Sequence, residues 1–305
     1  MVTKFSEYSK KWLESKKSRI KYSTYCAYEN IVLNYLDTYF DLFDSIDEKV
    51  VGDFFYKYEG KLSGKSIKGI FLVLRMIFKD AGFDQSIINK SYSFRENRYK
   101  VEVLSKNEHK KLLNFVESNF TFINLGFLIT LSTGIRIGEV CALKWSDIDL
   151  DNNLIHINKT LQRVYVASNK TTEIIIDKPK TAESIRDIPI TNLLKRKLKP
   201  LIKIVNLSYY VISNSNTPIE PRVYRTYFHK TLEEVGIRQV KFHCLRHTFA
   251  TRCVENSNDY KSLSAILGHS SISITLNLYV HPNDDSKKKC IDKMMNSLSP
   301  NNKEE

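Results

Sequence analysis

His243-Cys244-Leu245-Arg246-His247 is the most unusual pentapeptide of the chain. On a helix, His243 shares a face with Arg246 and His247. The HxxxH spacing suits a metal pair, but Cys244 stands where a zincin helix carries glutamate. A cationic Arg246 between the imidazoles also disfavours a metal. A Cys–His nucleophile pair fares no better, because adjacent helical residues point about 100° apart. A phosphate fits these groups: imidazole and guanidinium together bracket an anion.

Four further places carry candidate chemistry. Thr133-Gly134-Ile135-Arg136-Ile137-Gly138-Glu139 sets an arginine between two glycines in a stretch that reads as helical. Small residues there permit close backbone approach, and Glu139 falls on the face of Arg136, where it can hold the guanidinium. Lys178-Pro179-Lys180-Thr181 lies between two strand-like runs and reads as a hairpin turn; Arg186, on the next strand, is a candidate phosphate contact. Leu267-Gly268-His269-Ser270-Ser271 reads as a C-cap glycine followed by a serine N-cap, with His269 at the corner. Tyr279 closes the next helix, Ile272–Tyr279, but it is one of 17 tyrosines and composition does not single it out. One decoy is removed. Gly64-Lys65-Ser66 ends like a P-loop, yet the required earlier glycine is Glu59 and a helix precedes it.

The whole chain is compatible with an anionic partner. Its 305 residues carry a net charge of +13. The excess is spread, with 16 basic and 12 acidic groups in residues 1–95 and 31 and 22 in residues 96–305. Such a surface attracts nucleic acid or an anionic membrane face. Five cysteines without a CxxC pair argue against a disulfide framework or a zinc ribbon and fit a reducing, cytoplasmic setting. The N-terminus lacks a signal-peptide core, and Phe122–Leu131 is too short to span a bilayer. No membrane partner is expected. At ~150 residues per domain the length allows about two domains.

The elements that position these residues follow from periodicity. The spacing predicts helices over Phe5–Lys17, from Ser23 or Thr24 (as N-cap) to about Tyr39, over Glu48–Tyr58, and from about Ser66 to Lys79 with a stop at Ala81-Gly82. Residues 84–103 are polar and basic, with Lys90, Arg95, Arg98 and Lys100, and read as a basic interdomain linker suited to the same anionic partner. Ser105 and Glu108 form a capping-box pattern that opens the second domain. Helices run on to about Leu143. Then Leu154–Asn158, Gln162–Ala167, Glu173–Asp177 and Ser184–Ile190 read as strands of a small antiparallel sheet, with one more strand candidate at Tyr209–Ser213. Helices fill residues 221–298. The fold class is therefore mainly α with a small antiparallel β-sheet.

Taken together, Arg136, Lys180, His243, Arg246, His269 and Tyr279 fall at gaps of 44, 63, 3, 23 and 10 residues. That order and spacing resemble the tyrosine recombinase (phage integrase) family. The words TGIRIGEVCALKWSDID, PKTAESIRDIPI, HCLRHTFAT and LGHSSISITLNLYVHP resemble it as well. The likeness covers about residues 104–298, and the N-terminal helices resemble the SAM-like core-binding domain in general pattern.

The resemblance implies a site-specific recombinase that cuts and rejoins duplex DNA through a 3′-phosphotyrosyl link, without metal or cofactor. By the same likeness, Tyr279 is the nucleophile and Arg136 and Arg246 grip the phosphate. Lys180 is the general acid on the leaving 5′ oxygen, His243 a proton carrier, and His269 a phosphate contact. Glu139 is a supporting carboxylate, and His247 is expected to be structural. The expected layout is a core-binding domain over 1–83, a basic linker over 84–103, a catalytic domain over 104–298 and a polar tail over 299–305. A helix at Phe5 leads to the expectation that no arm-binding domain precedes it. The implied assembly is a homo-tetramer on DNA, joined by the tail segment 284–298, with an excisionase or a host DNA-bending protein as accessory partner. The expected service is integration and excision of a mobile element. Xer-type resolution of chromosomes or plasmids, or a non-catalytic DNA-binding relative, stand as alternatives.

Overall fold

The structure, a computed structural model, describes residues 4–88, 101–179, 182–257, 259–280, 288, 291–292 and 294–295. The chain divides into two compact units, Met1–Lys100 with Gln162–Ile175, and Val101–Leu161 with Ile176–Glu305.

The first unit is built from α1 (Phe5–Lys17), α2 (Tyr22–Ile31), a π-helical turn at Val32–Leu36, α3 (Asp37–Phe40), α4 (Glu48–Tyr58) and α5 (Gly64–Ala81). The second helix starts earlier than the serine–threonine pattern predicts. Lys21 is its extended N-cap, without a side-chain capping bond, so neither Ser23 nor Thr24 is the cap. The π turn shifts the apolar stripe around the helix, so that Val32 and Leu36 face inward ahead of Tyr39 and Phe40. Phe40, Phe54 and Phe78 form the aromatic centre, with Phe40 and Phe54 rings 5.0 Å apart. Each such ring contributes about 1.5–3 kcal/mol by burial. Gly82 ends α5 in the left-handed conformation.

The second unit begins with the Ser105–Glu108 capping box at α6 (Lys106–Ser118). Then come α7 (Phe122–Thr133), α8 (Ile137–Ala142), β1 (Ile148–Asp149), β2 (Leu154–Ile157), β3 (Thr160–Val166), β4 (Thr171–Asp177) and β5 (Arg186–Pro189). The remaining helices are α9 (Asn192–Ile202), α10 (Pro221–Glu234), α11 (His243–Asn256), α12 (Tyr260–Leu267) and α13 (Ile272–Tyr279). The apolar stretch after Thr121 is α7, buried on nearly every face, with Phe127 stacked on Tyr224 at 5.3 Å. Among the described residues no helix is long and apolar enough to cross a membrane.

The sheet differs from the single one expected. β1, β2 and β5 form one antiparallel sheet, and β3 with β4 forms a separate two-stranded one. Most of that hairpin, residues 162–175, belongs to the first unit. There Val164 and Val166 pack on Cys26, and the Ala167 amide donates to the Glu29 carboxylate at 3.0 Å. β4 and β5, the strands on either side of Lys178–Thr181, lie in different sheets; Lys180 and Thr181, read as part of a hairpin turn, lie outside the described residues. Tyr209–Ser213 is not a strand. Tyr210 makes isolated bridges to Lys144 and Ser215, and Asn214, at φ 46°, turns the chain back before a ladder forms.

Candidate active site

Arg136 does not lie within a helix. Helix α7 stops at Gly134, φ +67°, and α8 restarts with Arg136 as its extended N-cap. The break has a steric cause. A Cβ on Gly134 would lie 2.5 Å from Phe249 and 2.8 Å from Leu267, so only glycine lets α7 approach the helices beneath it. Glu139 closes a capping box on this turn, accepting from the Arg136 amide at 2.7 Å and from its Nη1 at 2.9 Å.

Three arginines then converge on the C-terminus of α12. Arg186 Nε donates to the Ile266 carbonyl at 2.5 Å, Arg246 Nη2 to Leu267 at 2.7 Å, and Arg136 Nη2 to Gly268 at 3.1 Å. Those carbonyls are the unsatisfied negative end of a helix, where guanidinium donors are favoured. Gly268, at φ +64°, makes this corner; a Cβ there would meet the Glu183 carbonyl and Arg186. Arg246 is 2% exposed, and its Nη1 also donates to Gly134 at 2.8 Å. Burial, then the charge of Arg136, lowers the Arg246 guanidinium below its ordinary value.

One carboxylate answers these cations. Glu139, 3% exposed, accepts from Arg136 and takes both Nη atoms of Arg186 at 3.1 and 3.0 Å. Burial alone would raise its carboxyl, but the Arg186 bonds and the two arginine charges outweigh that and lower it. Arg186, expected as a DNA contact, has its side chain buried and held by Glu139 and backbone carbonyls. Three guanidinia against one carboxylate leave a local positive excess, a setting that suits an anion.

The histidines and the tyrosine close the site. His243 opens α11 and packs edge-on to His247, centroids 4.5 Å apart. His243 presents an exposed edge, yet burial of its remaining surface and the charges of His247, Arg246 and Arg136 lower its imidazole. His269 Nδ1 pairs with Thr275 Oγ1 at 2.8 Å, and burial followed by three arginine charges brings it to about 4. Tyr279, at the end of α13, is 7% exposed and packs with Ala250, Leu263 and Leu267. Its hydroxyl lies 2.7 Å from His247 Nδ1, a contact that no sequence spacing announced. Burial raises the phenol while Arg246 and Arg136 pull it down.

The structure thus brings together Arg136, Glu139, His243, Arg246, His247, His269 and Tyr279. Lys180 and the linker residues Lys90, Arg95, Arg98 and Lys100 lie outside the described residues. Among the described residues no group of three or more His, Cys, Asp or Glu is arranged to hold a metal.

A helical domain whose buried tyrosine faces paired arginines defines the class: the chain belongs to the phage integrase family. Residues 102–286 match that family, and residues 4–43 match the N-terminal SAM-like domain of phage integrases. It is similar to a XerC-like tyrosine recombinase of Caldanaerobacter subterraneus, 27% identical over 293 residues, covering 86% of this chain and 74% of the relative. The ICEBs1 integrase of Bacillus subtilis is 23% identical over 255 residues, 77% of this chain and 67% of the relative. The Tn916 transposase of Enterococcus faecalis is 30% identical over 206 residues, 60% of this chain and 49% of the relative. In fold, the chain matches the Tn1549 transposon integrase solved with transposon right end DNA. That likeness has a TM-score of 0.77 at 21% identity and covers 96% of this chain and 100% of the other.

Proposed function

We propose that the chain is a site-specific DNA recombinase that cuts and rejoins duplex DNA through a 3′-phosphotyrosyl link at Tyr279, in the integration and excision of a mobile element. The observation that carries this reading is the docking of Tyr279 beside two arginines that share the α12 C-terminus. Arg136 and Arg246 each keep N–H donors beyond those bonded to carbonyls, and these suit the charge gathering on a pentacoordinate phosphate. His269 completes the phosphate contacts, His243 stands as a proton carrier, and Lys180 protonates the leaving 5′ oxygen. The exchange of one phosphodiester for another needs no nucleotide energy source. Relatives named for transposons and for ICEBs1 support the mobile-element role. Such work takes place on cytoplasmic DNA.

The test is a nicked suicide duplex carrying the chain's own recombination site. Wild type should leave a protein–DNA band that survives denaturant, and Tyr279→Phe should not. Tyr224→Phe, Tyr227→Phe and Tyr260→Phe are controls, since the first two hydroxyls bond Ile123 and Asn124 instead. An adduct that persists in Tyr279→Phe assigns the nucleophile elsewhere. Products formed between element ends, and not between directly repeated chromosomal or plasmid sites, separate the mobile-element role from Xer-type resolution.

Assembly into a tetramer rests on the tail. Ile291, Met294 and Met295 are 59%, 49% and 57% exposed, which supports docking of that segment on a neighbouring copy. Deleting residues 284–305 should abolish two-site synapsis and leave single-site binding; unchanged synapsis removes the idea. An excisionase or a host DNA-bending protein would act on that assembly, and adding either to the two-site assay should shift the balance of integration and excision.

A further inference from the structure

Among the described residues, His247 is the one buried imidazole that the phosphate-binding scheme leaves unused. It sits one turn after His243 on α11, is 4% exposed, and faces Tyr279 through Nδ1 at 2.7 Å. Its Nε2 is buried and has no hydrogen-bond partner. A structural histidine ordinarily satisfies both nitrogens, because a buried polar atom without a partner is costly. Here one nitrogen is given to the phenol and the other is left without a bond.

We propose that His247 is a catalytic residue that orients the Tyr279 hydroxyl and takes its proton during attack. The inference rests on the reading of Tyr279 as the nucleophile.

The surroundings favour an imidazole that begins neutral. His247 is faced by His243 and Arg246 on its own helix, by His269 at the α12–α13 corner and by Tyr279. Burial and the Arg246 charge lower it to about 4. With its proton on Nε2, Nδ1 is a free lone pair aimed at the phenol. A phenol with an ordinary pKa near 10 is a weak nucleophile at neutral pH, and this one is raised further by burial. In the step, the Tyr279 Oη–H bond breaks and its proton moves to Nδ1. Oη bonds to phosphorus, the P–O5′ bond breaks, and the 5′ oxygen leaves with a proton from a general acid, the role assigned to Lys180. Rejoining reverses this: the 5′ hydroxyl attacks and Oη leaves with the proton held on His247. The imidazolium so formed is tolerated because the phosphate brings negative charge into the arginine cluster. His243 is then left for the phosphate.

The test is single-turnover cleavage of the same suicide duplex by the full chain, its His247→Asn variant and its His247→Phe variant. Asn keeps a polar atom near Nδ1 but accepts no proton at neutral pH. Cleavage should fall about 100-fold or more in both, the usual scale for a lost general base. DNA affinity should stay within about threefold of wild type. The acidic limb of the wild-type pH–rate profile should vanish in His247→Asn. A 5′-bridging phosphorothiolate, which leaves without a proton, should not restore the rate, because leaving-group protonation is not what was lost. Wild-type rate and pH profile in His247→Asn, or full rescue by the thiolate, overturns the proposal. If His247→Asn folds poorly, wild type with 3,5-difluorotyrosine at 279 decides. A limb owned by His247 stays in place, and a limb that moves down with the phenol overturns the inference. Failure of the Tyr279 reading is seen separately, as an adduct that persists in Tyr279→Phe.

Discussion

Arg246 Nη1 donates to the carbonyl of Gly134 at 2.8 Å, so the second arginine is fixed on the backbone two residues before the first. The pair is therefore one unit, set by the stop of α7. Gly134→Ala should disturb both arginines at once. The left-handed backbone costs about 1–2 kcal/mol for an alanine, and the overlap with Phe249 and Leu267 about 1–3 kcal/mol more. Thermal unfolding should show a fall of several degrees, together with weaker cleavage. A Tm equal to wild type would mean that the corner is not rigid.

Arg186→Ala should act on stability and not on phosphate contact. It leaves Glu139 buried with one cation fewer, a loss on the scale of about 3–5 kcal/mol for a broken buried pair. Denaturant titration reads this directly. At temperatures where the variant is folded, the salt slope of DNA binding should match wild type; a phosphate contact would lower that slope by about 1.

Acid should destabilise the second unit before its carboxylates titrate. His247 and His269 are lowered to about 4, against about 6.5 in an unfolded chain. Below about 6.5 the unfolded state takes up protons that the folded state refuses. Their contribution is complete above that pH and is lost as pH falls toward about 4. Glu139, also lowered, adds its own loss only below the ordinary carboxylate range. The urea midpoint should drop between pH 7 and pH 4.5, and His247→Gln with His269→Gln should flatten that slope. Equal slopes would place the acid sensitivity elsewhere.

DNA affinity should fall steeply with salt, because a chain of net charge +13 that contacts many phosphates releases counterions on binding. Log K against log salt measures it, and a slope near zero would remove nucleic acid as the main partner. Under the proposed mechanism cleavage should survive EDTA, since the guanidinium groups of Arg136 and Arg246 would supply positive charge in place of a metal. Loss that a divalent ion restores would show a metal-dependent step.

The sequence by itself determined most helical periods, several of the caps and the order of the reactive residues. Ser105–Glu108, Gly82 and Gly268 are legible because a cap is settled within about four residues by local bonds. The helix Ile272–Tyr279 was readable for the same reason. Sequence order aligned Arg136, His243, Arg246, His269 and Tyr279 with a known pattern but carried no distances. Only the tertiary structure decided that Arg186 serves Glu139 and that α12 lends its last carbonyls to three arginines. It alone placed the Tyr279 hydroxyl on His247, 32 residues away along the chain. Partners such as these are set by how α11, α12 and α13 pack, and side chains within reach compete for the same carboxylate or lone pair. The same limit explains the sheets. Strand propensity marks β4 and β5 equally well, but pairing depends on which neighbour the packed chain brings alongside.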